Sequence, residues 1–145
     1  MLKVIAKEKL ALATGHSSPG ESLMLIREAR RLGIARIVVT HPLLNVVNMS
    51  ISEMQEAAKL DAWLEFCGKQ VLPTEPDATR SSVEDFVKAI RAVGAEHCIL
   101  SSDLGQPVNP VHTEGWKIFL EMLRKAGITG GEIDLMARRN PARLE

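Results

Sequence analysis

Three apolar runs in this chain end on a residue able to ligate a metal: LALATGH at His16, ARIVVTH at His41 and CILSSD at Asp103. Each run reads as a buried strand, and each is followed by a helical pattern. In a parallel α/β protein the carboxyl ends of such strands lie on one face, where sites assemble. A single strand-end histidine reads as a structural hydrogen-bonder or a helix cap. Two at matching positions one βα unit apart, with Asp103 at a third strand end, read instead as metal ligands. Two imidazoles and a carboxylate suit a hydrolytic divalent ion, zinc first, with manganese, nickel and cobalt also compatible. A carboxylate can both ligate and take a proton from water that a metal has made acidic.

The elements that must present these residues follow from periodicity and capping. Residues Leu2 to Lys9 read as the last turns of a helix, and Leu10 to Thr14 as the first strand. Ser17-Ser18-Pro19 supplies a cap and a helix-compatible proline, with Glu21 in the first turn. Leu23, Ile26, Ala29 and Leu32 then recur at helical spacing up to Gly33. Ile34 to Thr40 is the second strand, whose β-branched run implies burial on both faces, as in parallel sheet. Ser50 to Glu53 opens a helix with Met54, Ala57, Ala58 and Leu60 inward, and Ala62 to Phe66 is the third strand.

A loop of about fourteen residues follows, Cys67 to Arg80, with Pro73 and Pro76; a loop that long in a compact domain is usually functional. Ser81 and Ser82 cap a helix carrying Val83, Phe86, Val87, Ile90 and Val93, closed by Gly94. His97 to Ser101 is the fourth strand, Asp103 to Pro110 a loop, and Trp116 to Lys125 a helix. Thr129 or Gly130 caps a last helix, Glu132 to Arg139, before Asn140-Pro141. Strand starts recur at roughly 25 to 35 residues, the spacing of repeated βα units. The pattern predicts a single α/β domain over residues 1–145.

Composition narrows the partners. The 145 residues balance 18 basic against 18 acidic side chains, so no global field recruits nucleic acid or an anionic membrane. The arginine groups Arg27, Arg30, Arg31 and Arg138, Arg139, Arg143 read as solvated faces. Cys67 and Cys98 are far apart and form no metal-type pair, which fits a reducing cytoplasm. The amino-terminal stretch is too polar for a membrane span and lacks a signal-peptide core. Leu144-Glu145 reads as a cloning remnant.

Several other residues border the expected site. Glu65, mid-strand beside Phe66, is a candidate to orient a histidine or to touch substrate, or else pairs with a neighbouring base. His112 follows Asp103 in the loop that should edge the pocket, and either meets substrate or metal or caps a helix. Asn109 and Gln106 are candidates for the mouth. Cys67 ends the third strand on the functional face, as a soft ligand, a reactive thiol or a small buried hydrophobe. His97 begins a strand, away from the site. Trp63 and Trp116 read as packing residues, and Met24, Met54, Met122 and Met136 as helix-core residues.

With these residues in view, the chain resembles the carboxyl-terminal half of an amidohydrolase-superfamily barrel, in an uncharacterised branch. The TGH, THP and SSD strand ends reproduce the His, His, Asp order of that family's fifth, sixth and eighth strands, and AWLEF falls where the seventh belongs. The tail SSDLGQPVNPVHTEGWKIFLEMLRKAGITGGEIDLMARRNPARL is similar to the end of such hydrolases, with an NPA motif after the final helices. The resemblance implies half of a TIM-type barrel, metal ligation by His16, His41 and Asp103, and a small-molecule substrate. It also implies hydrolysis of an amide, ester or lactone-type bond, with Asp103 as general base.

The family's first-strand His-x-His pair and its fourth-strand lysine or glutamate have no counterpart in these residues. Four strands do not close an eight-stranded barrel, and their edges would be exposed. The chain is then a fragment of a longer barrel, one half of a homodimer that covers those edges, or an open, doubly covered sheet. A non-catalytic half-barrel binding or assembly protein is the competing function. A flavodoxin-like phosphate site is a weaker third reading, because Gly15 and Gly20 lack the glycine spacing of a nucleotide-binding turn.

Overall fold

The computed structural model describes residues 1–74 and 80–144. Pro76, in the long loop, and the terminal Glu145 lie outside the described residues. The chain runs α1 (Leu2–Lys7), β1 (Leu12–Ala13), α2 (Pro19–Arg31), β2 (Ile37–Thr40), α3 (Ile51–Lys59), β3 (Trp63–Cys67), α4 (Val83–Val93), β4 (Cys98–Ser101), α5 (His112–Lys125) and α6 (Gly130–Asp134). A π-helical turn, Leu135–Arg139, and a 3-10 turn, Pro141–Leu144, finish it. The strands form one parallel sheet in the order β1-β2-β3-β4. Among the described residues no helix is long and apolar enough to cross a membrane.

Local signals set the helix starts. Ser18 with Glu21, Ser50 with Glu53 and Thr129 with Glu132 each form a reciprocal capping box, which satisfies orphan amides at both partners. Ser82 caps α4 by accepting from the Asp85 amide at 2.9 Å.

The helices share one face of the sheet. Leu12, Ile37, Val39, Leu64, Phe66, Cys98 and Leu100 point to that face and join Ile26, Met54, Phe86, Phe119 and Met136 in one core. Phe66, Phe86, Phe119 and Trp116 run through it as a chain of rings with centroids 5.2, 6.2 and 5.8 Å apart. Each fully buried phenylalanine contributes about 1.5–3 kcal/mol of transfer free energy. Alternate strand residues face the other way in three rows: Ala13-Val38-Trp63, Thr40-Glu65-Ile99 and Cys67-Ser101. None of these residues joins the helix-packed core, although Val38, Ile99 and Cys67 are buried, and the arrangement is that of half a barrel.

Several expectations shift. The first strand is shorter than Leu10 to Thr14, because Leu10 is exposed before the β2 pairing begins. Helix α5 starts at His112, not Trp116, and the last helix starts at Gly130 and widens into the π-helical turn. The loop after β3 opens with a 3-10 turn, Gly68–Val71. Met24 is 63% exposed, not core, since the α2 stripe through Leu23, Ile26 and Ala29 turns it outward.

The arginines also do more than face solvent. Arg30 donates to the carbonyls of Leu60 (2.7 Å), Ile34 (3.0 Å), Ala35 (2.8 Å) and Asp61 (2.5 Å), tying together the entries to β2 and β3. Arg27 pairs with Glu56 across α2 and α3. Arg138 and Arg139 share Asp134 at 2.7 and 2.6 Å.

Candidate functional site

The carboxyl ends of β1, β2 and β4 deliver His16, His41 and Asp103 to one rim. Gly15, in the left-handed region at φ 63°, turns the chain out of β1 and into the Ser18 cap. Ser17 donates to the Thr14 carbonyl at 2.8 Å, and the Thr14 hydroxyl accepts from the Thr40 amide at 3.3 Å, pinning the two histidine-bearing ends together. The His16 and His41 rings consequently lie nearly parallel, centroids 5.2 Å apart.

His41 is the buried member at 9% exposure, whereas His16 is exposed. Its Nε2 stands 3.8 Å from Asp103 Oδ2, beyond hydrogen-bonding distance, and its buried Nδ1 has no partner. A buried polar nitrogen left unbonded costs about 1–3 kcal/mol. His41 and Asp103 also hold left-handed backbone at φ 51° and 50°. Lys9, Asn48 and Asp61 hold the same conformation, Lys9 and Asp61 at the opposite end of the strands. Leu104, next to Asp103, is buried against α5 at Gly115, where a β-carbon would collide with the leucine side chain. Gly115 therefore lets the loop after Asp103 seat, a role that sequence reasoning missed because the contact is non-local.

The other expected residues distribute around this rim. Glu65 lies in the row with Thr40 and Ile99 on the face opposite the core, and no hydrogen bond joins it to either histidine. Asn109 accepts from the Thr74 hydroxyl at 3.1 Å and donates to the Gln106 side chain, bridging the loops that follow β3 and β4. His112 is the exposed first residue of α5, in a groove of about 380 Å³ with Ser101, Ser102, Thr113 and Trp116.

Cys67 is buried and hydrogen-bonded to the Ser101 hydroxyl at 2.9 Å. Burial pushes its thiol well above the ordinary range, and the nearby Glu65 and Asp103 carboxylates add to this, so it sits there as a neutral small side chain. His97 lies at the amino end of β4, away from the rim. Trp116 packs on Phe119, and half-buried Trp63 lines a cavity of about 540 Å³ toward Arg36 and Arg143. Two buried amides went unanticipated. Gln70 is 4% exposed with neither end of its amide bonded, while fully buried Asn140 donates to the carbonyls of Ala95 (2.9 Å) and Cys98 (2.7 Å).

As a metal site the rim fits in chemistry but not in number. Two imidazoles and a carboxylate are donors a zinc-like ion takes, and neither His41 nitrogen is hydrogen-bonded to the protein. Yet among the described residues no three His, Cys, Asp or Glu side chains converge closely enough to hold an ion. The rim is a partial ligand set.

Residues 1–65 match a family described as a family of unknown function, DUF6282. No curated protein matches the chain. Among solved structures, the chain is similar to the organophosphorus hydrolase from Deinococcus radiodurans, at 19% identity and a TM-score of 0.59 over 86% of this chain and 42% of that one. A triple mutant of that enzyme aligns at 23% identity with a TM-score of 0.62, again over 86% and 42% of the two chains. The chain spans less than half the length of these hydrolases, and the likeness shows the fold: parallel α/β units arranged as half a barrel.

Proposed function

We infer that the rim is an amidohydrolase-like, metal-dependent hydrolytic site acting on an amide, ester or lactone-type bond of a small molecule. The observation that carries this reading is the open 3.8 Å gap between His41 Nε2 and Asp103 Oδ2, with the His16 ring stacked beside it at a strand-end rim. The fold likeness to organophosphorus hydrolases supports it.

His41 and His16 would hold a divalent ion, zinc first, from the β1 and β2 ends. When bound, such an ion polarises the group under attack and makes water acidic enough to act as nucleophile near neutral pH. Asp103, the more exposed partner, would accept a proton from the attacking water and pass it to the leaving group. Asn109 and His112 lie on the loop and helix start beyond Asp103, where a substrate would enter.

A second reading, a non-catalytic half-barrel for binding or assembly, is favoured by one observation: the described donors fall short of a complete ligand set. Assays of the zinc-, manganese- and cobalt-loaded protein on amide, ester, lactone and phosphotriester substrates separate the two. Turnover lost in Asp103→Asn supports hydrolysis; no turnover with any metal and class, or turnover unchanged in that variant, supports the scaffold.

A further inference from the structure

The described sheet has two open edges, one on β1 and one on β4. The large hydrophobic side chains left exposed are Met1, Val4, Leu10, Met24, Val46, Val108, Val111 and Ile118. All but Val46 belong to the first or last elements of the half barrel: α1, the lead into β1 and α2 at one end, the loop after β4 and α5 at the other. The middle units, whose neighbours are in place on both sides, expose almost none. The pattern is that of an interior cut open at two places rather than of scattered surface residues.

Each opening also has a groove of about 380 Å³. The one beside β4 runs along Leu100, Ser101 and Ser102 under Thr113 and Trp116, and the one at the other end lies between α1 and α2 at Leu2 and Met24. The β1 and β4 edges are parallel strands, so each is the neighbour the other lacks.

We propose that two copies of this chain pair about a twofold axis along the barrel, β4 of each beside β1 of the other, closing an eight-stranded barrel. One operation satisfies both edges through identical junctions. A second copy fits the size of the gap, since this chain accounts for 42% of a barrel of this type. Zero formal charge sets up no repulsion between copies.

The pairing rests on the metal-site reading for its consequence and deepens it. Asp103 at the end of β4 becomes a strand neighbour of His16 of the partner subunit, whereas its own His16 lies three strands away. The incomplete rim is thereby completed from across the junction.

Sedimentation velocity of the whole chain, in chelator and in zinc, tests the pairing. The expected species has the mass of two chains. Leu10→Glu and Ile118→Glu, both at exposed positions and therefore expected to keep the wild-type circular dichroism, should each weaken the dimer tenfold or more. A monomer in both buffers overturns the pairing and assigns the edges to another occupant. So does a dimer that neither substitution affects. A further arm mixes His16→Ala with Asp103→Ala: zinc uptake absent from each alone but regained in part by the mixture shows a shared site, and no recovery where wild type binds zinc overturns it. A wild-type dimer that takes up no zinc leaves the pairing standing and removes the metal reading instead.

Discussion

At the amino-terminal end of the sheet, polar side chains are spent on holding the chain. Arg30 clamps four carbonyls at the entries to β2 and β3, Arg36 donates to the carbonyls of Lys9 and Leu144, and Asn140 bonds Ala95 and Cys98 at the start of β4. At the carboxyl end Thr14, Ser17, Ser101 and Asn109 are also bonded, but the candidate ligands are not. His41 has a buried nitrogen with no partner, His41 and Asp103 sit in left-handed backbone, and the gap between them is too wide for a hydrogen bond. Left-handed backbone occurs at both ends, at Lys9 and Asp61 before β1 and β3 as at His41 and Asp103 after β2 and β4, so the difference lies in bonding: the floor side chains are paired and the buried His41 nitrogen is not. This is the division that barrel enzymes show between their bottom and top faces.

Substitutions at the two ends should therefore separate. Asn140→Ala removes two hydrogen bonds, the one to Cys98 buried, which should cost about 1–3 kcal/mol in urea unfolding and leave metal affinity unchanged. A fall in metal affinity there would dissolve the contrast. Gly115→Ala should cost less, about 1–2 kcal/mol of overpacking against Leu104. Because Leu104 seats the loop next to Asp103, this variant should also weaken zinc binding by calorimetry, which Asn140→Ala should not. Asp103→Gly should raise unfolding free energy by up to about 1 kcal/mol as the left-handed strain is relieved, while it abolishes metal uptake. Destabilisation by Asp103→Gly would mean that the aspartate is structural.

The smallest effect is acid dependence in the scaffold. The Thr129 amide and hydroxyl and the Arg91 guanidinium hold the Glu132 carboxyl down at about 2, below its ordinary 4.5. A depressed carboxyl contributes its full stability above pH 4.5 and loses it as pH falls through 2. Unfolding curves compared across that window should converge for wild type and Glu132→Gln as the pH drops. A constant difference at all pH values would remove Glu132 from the account.

What the sequence disclosed and what it hid follow the range of the interactions. Caps at Ser18, Ser50, Ser82 and Thr129 were legible because each bonds an amide three residues away. The rim residues were legible because a polar side chain that terminates an apolar run in repeated βα units can only lie at a strand end. Asn140 opens the NPA motif, but its contacts lie more than forty residues back, so the sequence does not show its role. The Arg30 clamp and the Gly115–Leu104 fit were hidden for the same reason. Met24 misled because it is the sequence neighbour of core residue Leu23, and one step along a helix turns a side chain by about 100°. The count of donors at the rim could not be read at all, since strand order fixes neighbours but not the distances between side-chain tips.

The most direct test of the rim as a metal site is the metal content of the purified chain by plasma mass spectrometry, after incubation with zinc and desalting, for wild type, His41→Ala and Asp103→Asn. Near-stoichiometric zinc is expected in wild type and an affinity loss of more than about 100-fold in both variants, since removing even an outer partner of a metal ligand costs about 10- to 100-fold. Zinc absent from wild type, or retained equally by both variants, would contradict the metal site.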